Sequence, residues 1–159
     1  MSDFTFNIAR GRIAELANRV NTNDPANSAF IVVVLKAAGL EADSVLMDYD
    51  TLAAILAASN DEATNVGYAR IELDQADGIT VTVDDTNNRV LVDFPDQTYV
   101  TVAVAGGAWG KALVCYDNDT TGGTDANIVP LTGHDFAITP DGRDIDLIVA
   151  TGGFYADED

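Results

Sequence analysis

The chain carries one histidine, His134, and Asp135 follows it directly. A histidine beside a carboxylate belongs to a nucleophilic triad only when a hydroxyl or thiol completes the set. None of the four serines, Ser2, Ser28, Ser44 and Ser59, sits in a G-x-S-x-G turn. Adjacent residues on a strand also point to opposite faces. His134 therefore reads as a turn or edge residue with a satisfied hydrogen bond. The single cysteine, Cys115, lies inside the apolar run 112–116 and reads as a small buried hydrophobe. Thiolate chemistry needs a helix N-terminus or a cationic neighbour, and only Lys111 is close in sequence.

Three further patterns stop short of a site. Gly106-Gly107-Ala108-Trp109-Gly110-Lys111 ends like a phosphate-binding loop, but the first glycine of G-x-x-x-x-G-K falls on Ala105. Ala112 stands where a Ser or Thr should hold magnesium. The run from Asp117 to Asp125 is rich in oxygen ligands, yet its fifth and twelfth positions as an EF-hand are Thr121 and Ile128. Asp141, Asp144 and Asp146 form a second acidic cluster, read as solvated surface. Paired carboxylates for glycoside hydrolysis are open to any chain with 26 acids and need a measured separation to mean anything. The residues thus assign no catalytic group, no cofactor and no metal ligand. The candidates for contact with a partner are Phe4, Phe6, Arg10 and Arg12 on an N-terminal arm, and Trp109 on a loop.

The elements that carry these residues fall into two parts. Residues 1–6 read as an extended arm. Residues 7–20 read as a helix capped by Asn7, with Ile13, Leu16, Ala17 and Val20 on one stripe. Residues 29–35 are a continuous β-branched run, the mark of a strand buried on both faces. A second helix opens at Asp50 and carries Leu52, Ile55 and Leu56. From residue 64 the hydrophobic period falls to two. The runs 79–83 and 89–94, separated by DDTNN, predict a hairpin. Further strands are expected at 66–73, 98–104, 112–116, 128–131, 136–139 and 145–149. Loops fall at 106–107 and 117–126, and 156–159 form a frayed acidic tail. The expected fold is one α+β domain over 7–155. It has two N-terminal helices and a predominantly antiparallel β-sandwich or barrel of about eight short strands.

Composition removes several functions. Eight Lys and Arg face 26 Asp and Glu among 159 residues, a net charge of −18. Nucleic-acid affinity comes largely from cations that release phosphate counterions, so neither nucleic acid nor an anionic membrane is expected as a partner. The longest apolar run, 29–35, is far below the ~20 residues that span a bilayer. No basic region leads into an apolar stretch at the start, so no signal peptide is expected.

The strings Asp48-Tyr49-Asp50-Thr51-Leu52-Ala53-Ala54-Ile55-Leu56, Val81-Thr82-Val83-Asp84-Asp85-Thr86-Asn87-Asn88-Arg89, Asp96-Gln97-Thr98 and Leu131-Thr132-Gly133-His134-Asp135-Phe136-Ala137-Ile138-Thr139 stand in this order. Together they resemble a group of small virion structural proteins of tailed bacteriophages, over about residues 7 to 155. The marks lie at turns and strand edges and hold no catalytic motif. The resemblance implies a capsid decoration or cement subunit, not an enzyme. It would be made in the host cytoplasm and sit on the capsid exterior. Its partners would be the major capsid protein and copies of itself, most simply a trimer. A neck or tail component and a calcium-dependent glycan-binding β-domain for host attachment are the alternatives.

Overall fold

Three sheets and three short helices make up the computed structural model, which describes residues 3–150 and 152–158. The central sheet is built on β2 (Ala29–Lys36) and β7 (Trp109–Asp117), paired antiparallel along their length with Val32 opposite Val114. The first seven residues of β2 are buried, as its unbroken run of branched side chains requires. β7 is buried at every position, although it contains Lys111 and Asp117. β8 (Val129–Ile138) extends the sheet beyond β7, and β1 (Phe4–Thr5) closes that edge. β3 (Ile71–Leu73) closes the other edge, so the order is β1-β8-β7-β2-β3.

The predicted hairpin forms as β4 (Thr80–Asp84) and β5 (Arg89–Asp93), with Val81 opposite Val92. The chain end returns as β10 (Tyr155–Glu158) and pairs with β5, so this segment joins a sheet where a frayed tail was expected. β6 (Gln97–Tyr99) and β9 (Ile145–Leu147) form a third, two-stranded sheet. Aromatic contacts tie the hairpin sheet to the central one. The Phe154 ring lies 5.6 Å from Phe30 and 5.2 Å from Phe94. Among the described residues no helix is long and apolar enough to cross a membrane.

This architecture corrects the expected one. Among the described residues ten strands lie in three sheets, not in a single sandwich or barrel, and the two N-terminal helices do not cap them as expected. The expected first helix is broken in two by Gly11, whose φ of +72° lies in the left-handed region. A 3-10 turn (Asn7–Ala9) precedes the break, and α1 (Ile13–Thr22) follows it with Arg12, not Asn7, at its N-cap. The second helical region yields one turn, α2 (Asp43–Leu46), and a six-residue α3 (Leu52–Ala57). Thr51, not Asp50, caps α3, its hydroxyl accepting from the Ala54 amide at 3.2 Å. Asn60 ends it by donating to the Ile55 carbonyl.

Two of the expected short strands are one. β8 runs straight through Gly133 because that residue packs beneath the Phe4 ring. A Cβ there would sit 2.6 Å from Phe4 Cζ. From Asp3 on, the expected arm is consequently part of the fold, and Met1 and Ser2 lie outside the described residues. Phe4 pairs with Gly133, and Phe6 is fully buried in the main core beside Ile13 and Leu131. The polar loop after β7 is also held. The Arg70 guanidinium makes paired hydrogen bonds to Glu62 (2.7 and 2.9 Å) and to Asp125 (2.6 and 3.0 Å).

Two outcomes follow. Phe6→Ala should lower the unfolding free energy by about 3–5 kcal/mol in urea titrations. Arg10→Ala, on the exposed turn, should stay within about 0.5 kcal/mol. The hydrogen bonds from Arg70 hold the Asp125 carboxyl below the ordinary carboxylate range. A lowered native value means that this stabilisation is complete above about pH 4 and is lost as pH falls further. Asp125→Asn should therefore flatten the fall in urea midpoint between about pH 4 and pH 2.

Candidate functional site

A cleft of about 210 Å³ opens between β8, the segment after β9 and the turn before β10. Its walls are hydrocarbon, chiefly Phe94, Phe136, Phe154, Leu147 and Val149, with Ile148 on the lip. Among the described residues its polar side chains come from Asp3, His134 and Asp135. Strand alternation sends the last two to different partners. His134 Nδ1 lies 3.1 Å from Asp3 Oδ2, and its Nε2 lies 2.8 Å from Thr132 Oγ1. With a carboxylate at Nδ1, the neutral ring carries its proton there and accepts from the Thr132 hydroxyl. The other Asp3 oxygen accepts from the Asp135 amide at 3.1 Å. Burial opposes ionisation of Asp3. The hydrogen bonds from His134 and that amide outweigh it and hold the carboxyl below its ordinary value.

Asp3, His134 and Thr132 thus line up as carboxylate, imidazole and hydroxyl, the order used in nucleophilic catalysis. The hydroxyl is misplaced for that task. Thr132 is only 2% exposed and does not line the cleft. Asp135 is held instead by Lys111, whose Nζ lies 2.7 Å from its Oδ1. Lys111 is itself fully buried, 3.0 Å from Asp43 Oδ1 and 5.1 Å from the centre of the Phe4 ring. Cys115 is buried in β7 beside β2, and burial pushes its thiol up. Among the described residues no three His, Cys, Asp or Glu side chains are grouped to hold a metal ion. In the first acidic cluster Asp125 binds Arg70. In the second, Asp144 accepts from the Thr101 amide and Asp146 from the Thr98 hydroxyl.

A second feature lies on the loops that follow α3 and β6. Residues 63–69 and 97–110 contain no charged side chain in a chain of net charge −18. Asn65, 2% exposed, laces these loops together. Its amide nitrogen donates to the carbonyls of Ala103 (2.9 Å) and Gly107 (3.2 Å), and its oxygen accepts from Trp109 Nε1 (2.8 Å). The Ala103 amide donates to the Val66 carbonyl at 2.8 Å. On this fixed frame Val66, Val100 and Val104 stand 78%, 63% and 62% exposed.

Of the five residues expected to meet a partner, the structure leaves Arg10 and Arg12 exposed and Phe4 half-buried. Phe6 and Trp109 are in the core and unavailable at the surface. Trp109 opens β7 instead of sitting on a loop, and its ring packs against Tyr99 at 5.1 Å and Phe136 at 6.0 Å. Sequence reasoning missed Asp3, Asn65 and the three valines. The charge-free stretches flanking Asn65 were the one signal that marked any of them. Comparison with family models, curated proteins and solved structures gives no match for this chain.

Two substitutions test this frame. Asn65→Leu leaves Trp109 Nε1 and the loop carbonyls without their partner, and should cost at least about 1–3 kcal/mol. Tyr99 Oη is buried without a hydrogen-bond partner among the described residues, so Tyr99→Phe should leave stability unchanged or raise it by up to about 2 kcal/mol. Urea midpoints of the two variants provide the comparison.

Proposed function

We propose that this chain is a structural virion protein of a tailed bacteriophage, a decoration or cement subunit that binds the capsid exterior and stabilises the shell. It acts without catalysis or cofactor. The resemblance over residues 7 to 155 supports the reading, and the exposed aliphatic side chains of Val66, Val100 and Val104, on loops that carry no charged residue of their own, are the observation that carries it. Copies of −18 charge crowded on a shell repel one another, and like charges brought face to face cost several kcal/mol. Loops without charges of their own let a copy approach its neighbour, or the shell, with less of that penalty. Asp144 and Asp146 are bound at their edge. Asn65 fixes the face in advance, which reduces the ordering entropy lost on contact.

Three copies around a three-fold axis would make heterologous contacts that close. Each contact must bury about 1,000 Å² or more to persist. Subunits that bind only the mature shell stabilise it by mass action, by RT ln(1 + [L]/Kd).

The test has two parts. Gel densitometry of purified particles should give about one copy per major capsid subunit. A few copies per hundred would move the chain to the neck or tail, and none would end the virion reading. Particles lacking the protein should also lose heat and low-salt resistance. Val100→Asp with Val104→Asp should leave the isolated protein folded but lower its occupancy on such particles by at least about tenfold.

A further inference from the structure

The geometry points to the cleft beside β8 as a binding site for a small hydrophobic ammonium, a ring-sized apolar group carrying one protonated amine. The inference is independent of the virion reading. Its first ground is shape. At about 210 Å³ the cleft is below the ~300–1,000 Å³ of drug-sized sites, and it suits one ring rather than a peptide. Phe94, Phe136 and Phe154 supply apolar walls, and the faces of such rings attract cations.

The second ground is the chemistry of the polar corner. Of its three polar side chains among the described residues, His134 is already committed at both ring nitrogens, to Asp3 and to Thr132. The other two are carboxylates, which only accept hydrogen bonds when ionised. Lys111 offsets the charge of Asp135 from behind, and Asp43 in turn faces Lys111. Asp3 is the more open of the two, 66% exposed at its side chain. The corner therefore presents acceptors and net negative charge at one end of a hydrocarbon slot. A ligand with a donor and a positive charge at one end of a hydrocarbon body is its complement. An anion meets two carboxylates, and a neutral alcohol gains the walls but not the charge.

Benzylammonium, benzyl alcohol and benzoate share one ring and differ in charge, so they separate these terms. Each is titrated into the ¹⁵N- and ¹³C-labelled full chain at pH 7 and followed by NMR. Benzylammonium should saturate shifts at Asp3, His134, Phe136 and Phe154 with a Kd near ~1 mM or tighter. Benzyl alcohol should bind at least about tenfold more weakly, and benzoate should not saturate.

Asp3→Asn should bring the ammonium down to the level of the alcohol and leave the alcohol unchanged. Ala150→Arg, at the mouth of the cleft, should weaken the ammonium by at least about tenfold and admit benzoate. It serves as the second variant if the first disturbs the N-terminal segment. Equal affinity for ammonium and alcohol, saturating shifts elsewhere on the molecule, or no saturation by about 20 mM would each overturn the assignment.

Discussion

Lys111 is an ammonium group with no exposed surface, and it sits in the strand on which the central sheet is built. Taking such a charge out of water costs several kcal/mol unless good geometry repays it. Repayment here comes from three distant parts of the chain: Asp43 on α2, Asp135 on β8 and the ring of Phe4 on β1. None of the three can move far without leaving the others facing an underpaired charge. This constraint explains why the segment from Asp3 to Phe6 folds onto the sheet. The Phe4 ring lies against Gly133, where a side chain would block it, and Phe6 then enters the core behind it. Asp3 is delivered to His134 by the same segment, so the polar corner of the cleft depends on Lys111 as well.

The features legible in the sequence are local ones. The strand at 29–36 announced itself by its branched run, and the hairpin by its spacing and its Asp-Asn turn. Both signals lie within a few residues of what they specify. The misread features depend on contacts between distant residues. Residues 7–20 have a helical stripe, but Gly11 adopts a left-handed conformation and divides them. Gly133-His134 has turn composition, and only the Phe4 ring lying on it shows why the strand continues. Lys111 read as a neighbour of Cys115, because nothing local links it to Asp43 or Asp135. Asp3 and His134 meet from opposite ends of the chain. Asn65 carries no motif at all, and its role exists only once Ala103, Gly107 and Trp109 have been brought around it.

The two surfaces described here divide the electrostatic character of the molecule between them. The loops laced by Asn65 are free of charge and present aliphatic side chains. The cleft concentrates acceptors at the end of an aromatic slot. They are fixed by different devices, a neutral buried amide in one case and a charged buried network in the other. Salt screens exposed charges over about 8–10 Å at moderate ionic strength and acts much less on buried pairs. Ionic strength should thus act on the molecule's summed surface charge, and leave the Lys111 network that shapes the cleft almost untouched.

Cys115 has a consequence for how this fold can be watched. Its sulfur lies in the middle of β7, opposite Ile31 on β2, fully covered and with its thiol proton held more tightly than usual. A thiol reagent therefore has no route to it in the closed molecule. A strand side chain stands out from the face of its sheet, so modification must wait for the elements packed over that face of β7 to lift away, an opening of the core close in free energy to complete unfolding. The lone thiol is in effect a clock for the rarest opening of the core. Its rate of alkylation in native buffer reports the breathing of the structure without denaturant and without any change to the sequence.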